Sequence, residues 1–291
     1  MPDQPQVECL AEVHAALGEG PVWVARERAL YWVDIKGRKI FRLGESGAVS
    51  IWDTPIRVGS LAPREQGGFV AGTDEGFYFI DVDAERFEPI GHPEEHLPTN
   101  RFNDGKVDRS GRFWAGTMDD QERAAAGALY RLDPDLRWTR IDEGYRVTNG
   151  PAFSPDGRRM YHNDSARRLT YVFDLDEAGL ASNRREFARY GDGDGYPDGM
   201  TVDDEGCLWI AFWDGWCIRR LSPEAELLQA IRLPMQRPTS CAFGGERLDT
   251  LFVTSARKGL QGTDLAGQPL AGGLFAVDPG VRGIAELPFA G

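Results

Sequence analysis

Four side chains that can offer oxygen ligands stand at equivalent places in this sequence, each directly before a glycine. They are Glu19, Asp104, Asn149 and Asp198. Carboxylate and amide oxygens without histidine or cysteine suit a hard cation such as Ca²⁺, Mg²⁺ or Mn²⁺, with water completing its shell. Zn²⁺ or Fe²⁺ could also occupy such a site, because metal binding follows availability as well as ligand type. Two carboxylates and one amide would balance a dication and leave it able to polarise a neutral ligand.

The competing interpretation is that acidic and amide side chains beside glycine only form turns. For any one of the four residues taken alone, that is the better explanation. Four such residues at the same point of the repeat favour a shared role. Glu19 in addition stands before Gly-Pro, where a turn role is hard to explain. A shared role requires a fold that brings distant parts of the chain to one point.

A repeated unit along the whole chain predicts such a fold. Each copy leads from a small or turn residue into a short apolar strand, a tight turn and further apolar strands, with about 40 to 50 residues between copies. The first strands of the copies begin near residues 21, 60, 104, 150, 198 and 240. Six units of about four strands are typical of propeller blades. The sequence therefore predicts an all-β, six-bladed β-propeller in which residues 1–291 form one domain.

The ring of a propeller must be closed by an outer strand from another part of the chain. The segments 7–13 and 283–289 are the two candidates. A β-sandwich is the structural alternative, but it leaves the repeat unexplained. No helical period persists in any window, and the strands are too short for βαβ units. Because inner strands of a propeller surround its axis, the central channel is the predicted location of the metal site.

Composition limits the partners and the compartment. The formal charge of −13 repels phosphate backbones and anionic lipids, so nucleic acid is not an expected partner. No apolar run is long enough for a membrane span, and the first residues do not resemble a signal peptide. The cysteines form no CxxC pair, so reduced thiols are expected, although Cys207 and Cys217 could face each other across a hairpin. We expect a cytoplasmic monomer.

Several longer motifs carry a resemblance to a known family. They are LGEGPVW at 17–23, NRFNDGKVDRSGRFWAGTM at 100–118, TNGPAFSPDG at 148–157, PDGMTVDDEGCLWIAFW at 197–213, SCAFGG at 240–245, TSARKGL at 254–260 and GGLF at 272–275. Over nearly the whole chain, the sequence resembles the senescence marker protein/gluconolactonase (regucalcin-like) family. The resemblance implies a six-bladed propeller, one divalent metal ion and hydrolysis of an aldonolactone such as glucono-, xylono- or arabinonolactone.

The resemblance also implies roles for individual residues. It assigns metal ligation to Glu19, Asn149 and Asp198, and substrate contacts to Arg101 and Asn103. The counterpart of Asp198 is also the acid/base group of the family. A substrate-contacting glutamate of regucalcin falls on Gln121, which can hydrogen-bond hydroxyls but brings no charge, so the sugar preference stays open. The loop 119–126 is expected to cover the site.

The chemistry of lactone hydrolysis leaves the role of Asp198 open. Opening a cyclic ester requires a polarised carbonyl, an activated water and a stabilised oxyanion. A carboxylate bound to a dication is a weaker base, so Asp198 either removes the proton of the water or only orients a water that the cation has made acidic. The histidines have no metal-binding spacing, and His162 is expected to pack within a strand.

Other functions compete with a lactonase. A propeller phosphotriesterase of the paraoxonase type also uses a calcium ion in its channel. A non-catalytic calcium- or sugar-binding protein would use the same oxygen ligands without turnover. A protein-docking scaffold would instead need an apolar channel face. A serine hydrolase is not supported, because no GxSxG motif occurs in the sequence.

Overall fold

The computed structural model describes residues 5–291, and strands dominate it. In chain order they are β1 (Val7–Ala11), β2 (Gly18–Val24), β3 (Ala29–Asp34), β4 (Lys39–Leu43), β5 (Val49–Asp53), β6 (Val58–Pro63), β7 (Phe69–Thr73), β8 (Gly76–Asp81), β9 (Arg86–Gly91), β10 (Asn100–Val107), β11 (Phe113–Asp119), β12 (Gly127–Leu132), β13 (Trp138–Tyr145), β14 (Thr148–Phe153), β15 (Arg159–Asp164), β16 (Leu169–Leu175), β17 (Ala181–Arg189), β18 (Tyr196–Val202), β19 (Leu208–Trp213), β20 (Cys217–Leu221), β21 (Leu227–Arg232), β22 (Pro238–Gly244), β23 (Thr250–Ser255) and β24 (Leu274–Val277). Short 3₁₀ helices lie at Ala25–Glu27 and Ser165–Arg167, and a short helix, α1, spans Thr263–Gly267.

The strands form six four-stranded antiparallel sheets, which are the blades of a propeller. Blade 1 contains β2–β5, blade 2 β6–β9, blade 3 β10–β13, blade 4 β14–β17 and blade 5 β18–β21, each in chain order. Blade 6 has the order β22, β23, β24 and β1. The first strand of each repeat is the innermost strand of its blade. The predicted six-bladed β-propeller is thereby confirmed.

The N-terminal strand closes the ring. β1 pairs antiparallel with β24 and becomes the outermost strand of blade 6. Of the two candidates for this role, the segment 7–13 is therefore correct and the segment 283–289 is not. The latter crosses the opposite end of the channel, where the inner strands finish. There the backbone N–H of Phe289 donates to the carbonyl of Pro63, the last residue of β6, over 2.8 Å.

Apolar clusters between neighbouring blades hold the ring together. Each of the six interfaces has one, so the inner and middle strands of the blades are covered on both faces. Tyr31 of blade 1 lies 4.8 Å from Phe69 of blade 2, and Trp114 of blade 3 lies 5.8 Å from Phe153 of blade 4, between ring centroids. Strands covered on both faces are apolar over most of their length, as ALYWVD and FWAGTMD are before their terminal aspartates.

The structure also tests smaller expectations. All four cysteines are free thiols, as predicted. His162 is buried and stacks on Tyr145 with 4.8 Å between ring centroids, which confirms its packing role. The helix α1 was not predicted, because five residues are too few to show a period. Among the described residues, no helix has both the length and the apolar character needed to cross a membrane.

Candidate active site

A cavity of about 530 Å³ opens at the end of the channel where the inner strands begin. Its lining includes the five residues to which the family resemblance assigned metal ligation or substrate contact. These are Glu19 at the start of β2, Arg101 and Asn103 on β10, Asn149 on β14 and Asp198 on β18. The propeller thus brings together side chains from four blades, although their individual roles stay predictions.

Irregularities in the inner strands set the direction of these side chains. In β2 the register with β3 shifts directly after Glu19, and in β14 the register with β15 shifts directly after Asn149. In both places a glycine and a proline together oppose one residue of the partner strand, as in a β-bulge. Gly20 has a φ of +53° and Gly150 a φ of +83°, a left-handed region that glycine enters at little steric cost. The glycines after the two candidate ligands therefore permit the bulges.

Asp104 does not line the cavity that the other three oxygen ligands share. The bulge of β10 contains both Asn103 and Asp104, and only Asn103 lines the large cavity. Asp104 lines a smaller cavity of about 20 Å³ deeper in the channel. Its carboxylate accepts the backbone N–H groups of Gly105 at 2.8 Å and Gly150 at 2.9 Å. The expectation of four equivalent side chains is therefore wrong, and Asp104 holds the backbone beside Asn149 instead.

Burial raises the pKa values of three carboxylates in the channel, and neighbouring carboxylates raise those of Glu19 and Asp198 further. Glu19, Asp104 and Asp198 are between 4% and 7% exposed. Burial and then the charge of Asp104 raise the pKa of Glu19 to about 8. Burial and then the charges of Glu19 and Asp104 raise the pKa of Asp198 well above its ordinary value. Burial also raises the pKa of Asp104 to about 6. Without a counter-cation, the folded site therefore retains protons near neutral pH.

The amide of Asn149 is fixed on both sides. Its Nδ2 donates to Ser165 Oγ at 2.8 Å, and its Oδ1 accepts from Asn103 Nδ2 at 2.8 Å. Ser165 in turn donates to the carbonyl of Pro197, next to Asp198, over 2.5 Å. An amide oxygen can accept two hydrogen bonds, so one acceptor site of Asn149 stays available for a ligand. Sequence reasoning missed Ser165, because nothing in its neighbourhood distinguishes it from an ordinary turn serine.

A carboxylate outside the predicted set positions Arg101. Arg101 is 3% exposed, and its Nε donates to Asp120 Oδ1 at 2.6 Å while its Nη1 donates to Asn103 Oδ1 at 2.7 Å. Asp120 also accepts from Lys36 at 2.6 Å and from Arg57 at 2.7 Å. Burial opposes ionisation of Asp120, but hydrogen bonds from these three cations hold its pKa well below the usual range. Arg101 is therefore held in one orientation before any substrate binds.

The loop 119–126 forms part of the cavity mouth, as expected. Gln121 is exposed and does not line the cavity, whereas the next residue, Glu122, does. Glu122 Oε1 accepts from Lys258 Nζ at 2.6 Å, which joins the loop of blade 3 to a loop of blade 6. The acidic side chain that this loop presents to the cavity is thus Glu122, and Gln121 is not part of the lining.

The donor set of the cavity fits a hard dication. Glu19 and Asp198 supply two negative charges, and Asn149 supplies a neutral oxygen. Within residues 5–291, no three side chains of the His, Cys, Asp and Glu types converge to hold a metal ion by themselves. A cation here would therefore depend on the amide and on water for its remaining ligands. Its charge would offset the repulsion between two carboxylates that are buried together.

Stability of the metal-free protein is expected to fall as the pH rises from about 5 to about 8. In the unfolded chain, Glu19 and Asp198 ionise near ordinary values of 4.5 and 3.8, well below their folded-state values. The folded state therefore binds more protons across this range, and the stability present below the unfolded-state pKa is lost as the pH passes the folded-state pKa. A dication binds the ionised carboxylates, so its stabilising effect should grow over the same range.

Scanning calorimetry with EDTA and with saturating calcium, at both ends of this pH range, measures the effect. The calcium-dependent rise in Tm should be larger at the upper end by about 5 °C or more. A rise of equal size at both pH values would mean that the site carboxylates do not lose protons when the cation binds.

Comparison with known proteins agrees with this architecture. Residues 17–257 match a family model described as the SMP-30/Gluconolactonase/LRE-like region. The chain is 42% identical over 289 residues to 6-deoxy-6-sulfogluconolactonase from Pseudomonas putida, covering 98% of this chain and 99% of that protein. It is 38% identical over 291 residues to L-arabinolactonase from Azospirillum brasilense, covering 98% and 96%.

A solved structure shows the same fold at lower sequence identity. The crystal structure of regucalcin, a calcium-binding protein from Agrobacterium tumefaciens str. C58, matches with a TM-score of 0.94 and 27% identity. The match covers 98% of this chain and 97% of that chain. The blades, the cavity and the match over residues 17–257 agree, and this chain belongs to the SMP-30/gluconolactonase/LRE-like family.

Proposed function

We propose that this protein uses one divalent cation to hydrolyse the ring ester of a sugar-acid lactone to the free acid. The observation that carries the proposal is the single cavity that Glu19, Asn149 and Asp198 line together with Arg101 and Asn103. Two of the relatives support a sugar lactone as the substrate class, because they are named for a sulfogluconolactone and an arabinolactone. Glucono-, xylono- and arabinonolactone are the first substrates to test.

Glu19, Asn149 and Asp198 would hold the cation through oxygen. Calcium is our first choice, because all three ligands are hard and one solved relative is described as calcium-binding. Magnesium, manganese, zinc and iron(II) stay as alternatives. When bound, the cation would polarise the lactone carbonyl and offset the negative charge that develops on its oxygen.

Arg101 and Asn103 would orient the substrate. The guanidinium and the amide can hydrogen-bond ring hydroxyls or the carbonyl. Their mutual hydrogen bond of 2.7 Å and the bond from Arg101 to Asp120 restrict both side chains before binding. Groups that are already oriented lose less entropy when the substrate arrives, which favours attack on a correctly placed carbonyl.

Asp198 is our candidate for the group that accepts the proton of the attacking water. It can do so through an oxygen that the cation leaves free, with the water about 3 Å away. Its burial favours this role, because a desolvated carboxylate is a stronger base than an exposed one. With both oxygens on the cation, Asp198 would only orient the water.

The proposal predicts turnover in a panel of lactones. The calcium-loaded protein is assayed with a pH indicator on glucono-, xylono-, arabino- and galactonolactones of both ring sizes, against spontaneous opening. At least one lactone should be opened with a kcat/KM above about 10⁴ M⁻¹ s⁻¹. Hydrolysis of paraoxon without lactone turnover would favour a phosphotriesterase. Binding of calcium and sugar without any turnover would favour a non-catalytic binding protein.

We further propose that residues 1–291 act as one domain and as a monomer in the cytoplasm. The free thiols of all four cysteines agree with a reducing compartment. The net charge of −13 argues against nucleic acid and anionic membranes as partners. The proposed ligand is thus a small molecule.

A further inference from the structure

The cavity lining is rich in positive charge although the chain as a whole is acidic. The sequence contains 46 acidic and 33 basic residues. The cationic side chains that line the cavity are Arg101, Arg146, Arg237 and Lys258. The acidic ones are Glu19, Glu122 and Asp198. A dication would offset Glu19 and Asp198, so the cavity would be a region of positive potential in a negative protein.

Three of these cations, Arg146, Arg237 and Lys258, form one group that we call the mouth cluster. Lys258 Nζ lies 2.6 Å from Glu122 Oε1, and Arg146 Nε donates to the carbonyl of Glu122 at 2.9 Å. The guanidinium carbon of Arg237 lies 4.8 Å from the ring centroid of Trp213, and Lys258 Nζ lies 5.9 Å from the same centroid. Lys258 therefore shares Glu122 with Arg146 and Trp213 with Arg237, which links the three cations at the mouth.

Carboxylates compensate only part of the mouth cluster. Lys258 pairs with Glu122, and Arg237 Nε pairs with Asp214 Oδ1 at 2.7 Å. Across residues 5–291, Arg146 forms no ion pair, and the side-chain hydrogen bond that it makes goes to a neutral carbonyl. Its exposed guanidinium thus keeps donors for an incoming ligand. A guanidinium presents paired N–H groups that match the oxygens of a carboxylate, sulfonate or phosphate.

We infer that the mouth cluster binds an anionic substituent at the end of the sugar remote from the lactone carbonyl. This inference rests on the proposed function, and it narrows the substrate class to lactones that carry a second, negatively charged group. The carbonyl end would lie beside Glu19 and Asp198, and the charged end would reach Arg146. A cavity of about 530 Å³ has room for a six-carbon lactone in this position. The rival explanation is that the cations attract only the carboxylate that hydrolysis itself creates.

Two lactones that differ in one group test the inference. D-Glucono-γ-lactone ends in a neutral CH₂OH, and D-glucaro-γ-lactone has the same ring but ends in a carboxylate. At low salt, the calcium-loaded wild-type protein should favour the glucaro-lactone about tenfold in kcat/KM. The preference should shrink in about 0.5 M NaCl, where partly exposed charges are screened. Attraction of the product carboxylate alone would predict equal values, because both lactones create that group.

The variant Arg146→Gln identifies the residue responsible. The ratio of kcat/KM for the glucaro-lactone over the glucono-lactone should fall about tenfold, mainly through KM, because an uncharged amide cannot pair with the substituent. Arg137→Gln removes an equal charge from a side chain that is 88% exposed and does not line the cavity. This control should leave kcat/KM for both lactones unchanged. A wild-type ratio near one, or equal losses in the two variants, would overturn the inference.

The same lactones separate this inference from the proposed function. If the wild-type protein opens the glucono-lactone, the proposed function stands whatever the ratio shows. If neither these two lactones nor any other lactone of the panel is opened, the proposed function fails, and titration calorimetry with the glucono- and glucaro-lactones then tests the mouth cluster by binding alone. Tighter binding of the glucaro-lactone by wild type, lost in Arg146→Gln, would retain it as an anion site. Equal binding of the two lactones would reject it.

Discussion

Replacing Asp198 with asparagine is expected to reduce kcat by about a thousandfold or more at saturating calcium, because an amide cannot accept the proton of the attacking water. The change is nearly isosteric and removes one of the buried negative charges that repel one another in the metal-free protein, so the fold should be retained. A pH-indicator assay on the best lactone of the panel measures kcat. Circular dichroism and calcium titration on the same sample establish that the variant is folded and loaded.

The matched control for this variant is Asp192→Asn. Asp192 belongs to the same acidic run, GDGDGYPDG at 191–199, but its side chain is fully exposed, and its one ion pair within residues 5–291 is with Arg168 at 3.1 Å. The Asp192→Asn variant should retain the wild-type kcat, since Asp192 lies outside the cavity. Full activity of Asp198→Asn with calcium bound would remove Asp198 from the mechanism.

The ring of blades could be predicted because apolar strands recur at a nearly constant interval. Some outermost strands were harder to predict: β13 and β17 are largely exposed, so their sequences WTRIDEGY and ASNRREFAR carry little apolar signal. For the strand that closes the ring, the sequence indicated two candidate segments and could not decide between them. The pairing of β1 with β24 decides between them, and it joins residues from opposite ends of the chain.

The candidate site was predictable where a motif fixes a side chain on an inner strand, as for Glu19, Asn149 and Asp198. It was not predictable where bulge geometry decides the direction, as for Asp104, which shares the Asp-Gly pattern but faces the smaller cavity. Contacts between side chains of different blades could not be predicted from the sequence either. Asp120, for example, gathers Lys36 of blade 1, Arg57 before blade 2 and Arg101 of blade 3, and no spacing in the sequence indicates that convergence.

The mouth of the cavity likewise depends on contacts between different blades. Lys258 and Glu122 come from loops of different blades, and their ion pair of 2.6 Å exists only because the ring is closed. Such loops vary independently of the inner strands that carry the proposed ligands. Under the proposed function, residues of the inner strands would bind the cation and the substrate carbonyl, whereas residues of the loops would contact the remainder of the sugar and determine substrate preference.

Glu19→Gln is expected to weaken calcium binding by about a hundredfold or more, since it removes one of the two charged ligands and keeps the side-chain shape. Titration calorimetry near pH 9, above the pKa of about 8 that burial gives wild-type Glu19, measures the loss. Glu246→Gln, which changes a side chain that is 82% exposed, serves as the control and should bind calcium like wild type.

The metal-free form of Glu19→Gln should respond in the opposite direction. Neutralising Glu19 relieves its repulsion with Asp104 and Asp198, so without calcium the Tm of the variant near pH 8 should equal or exceed that of wild type. A substitution that merely damaged the fold would lower the Tm with and without calcium. Loss of turnover together with undiminished calcium affinity would contradict Glu19 as a ligand. Weaker calcium binding and a retained or raised metal-free Tm together are the expected signature of a ligand, because a ligand carboxylate stabilises the loaded protein and destabilises the empty one.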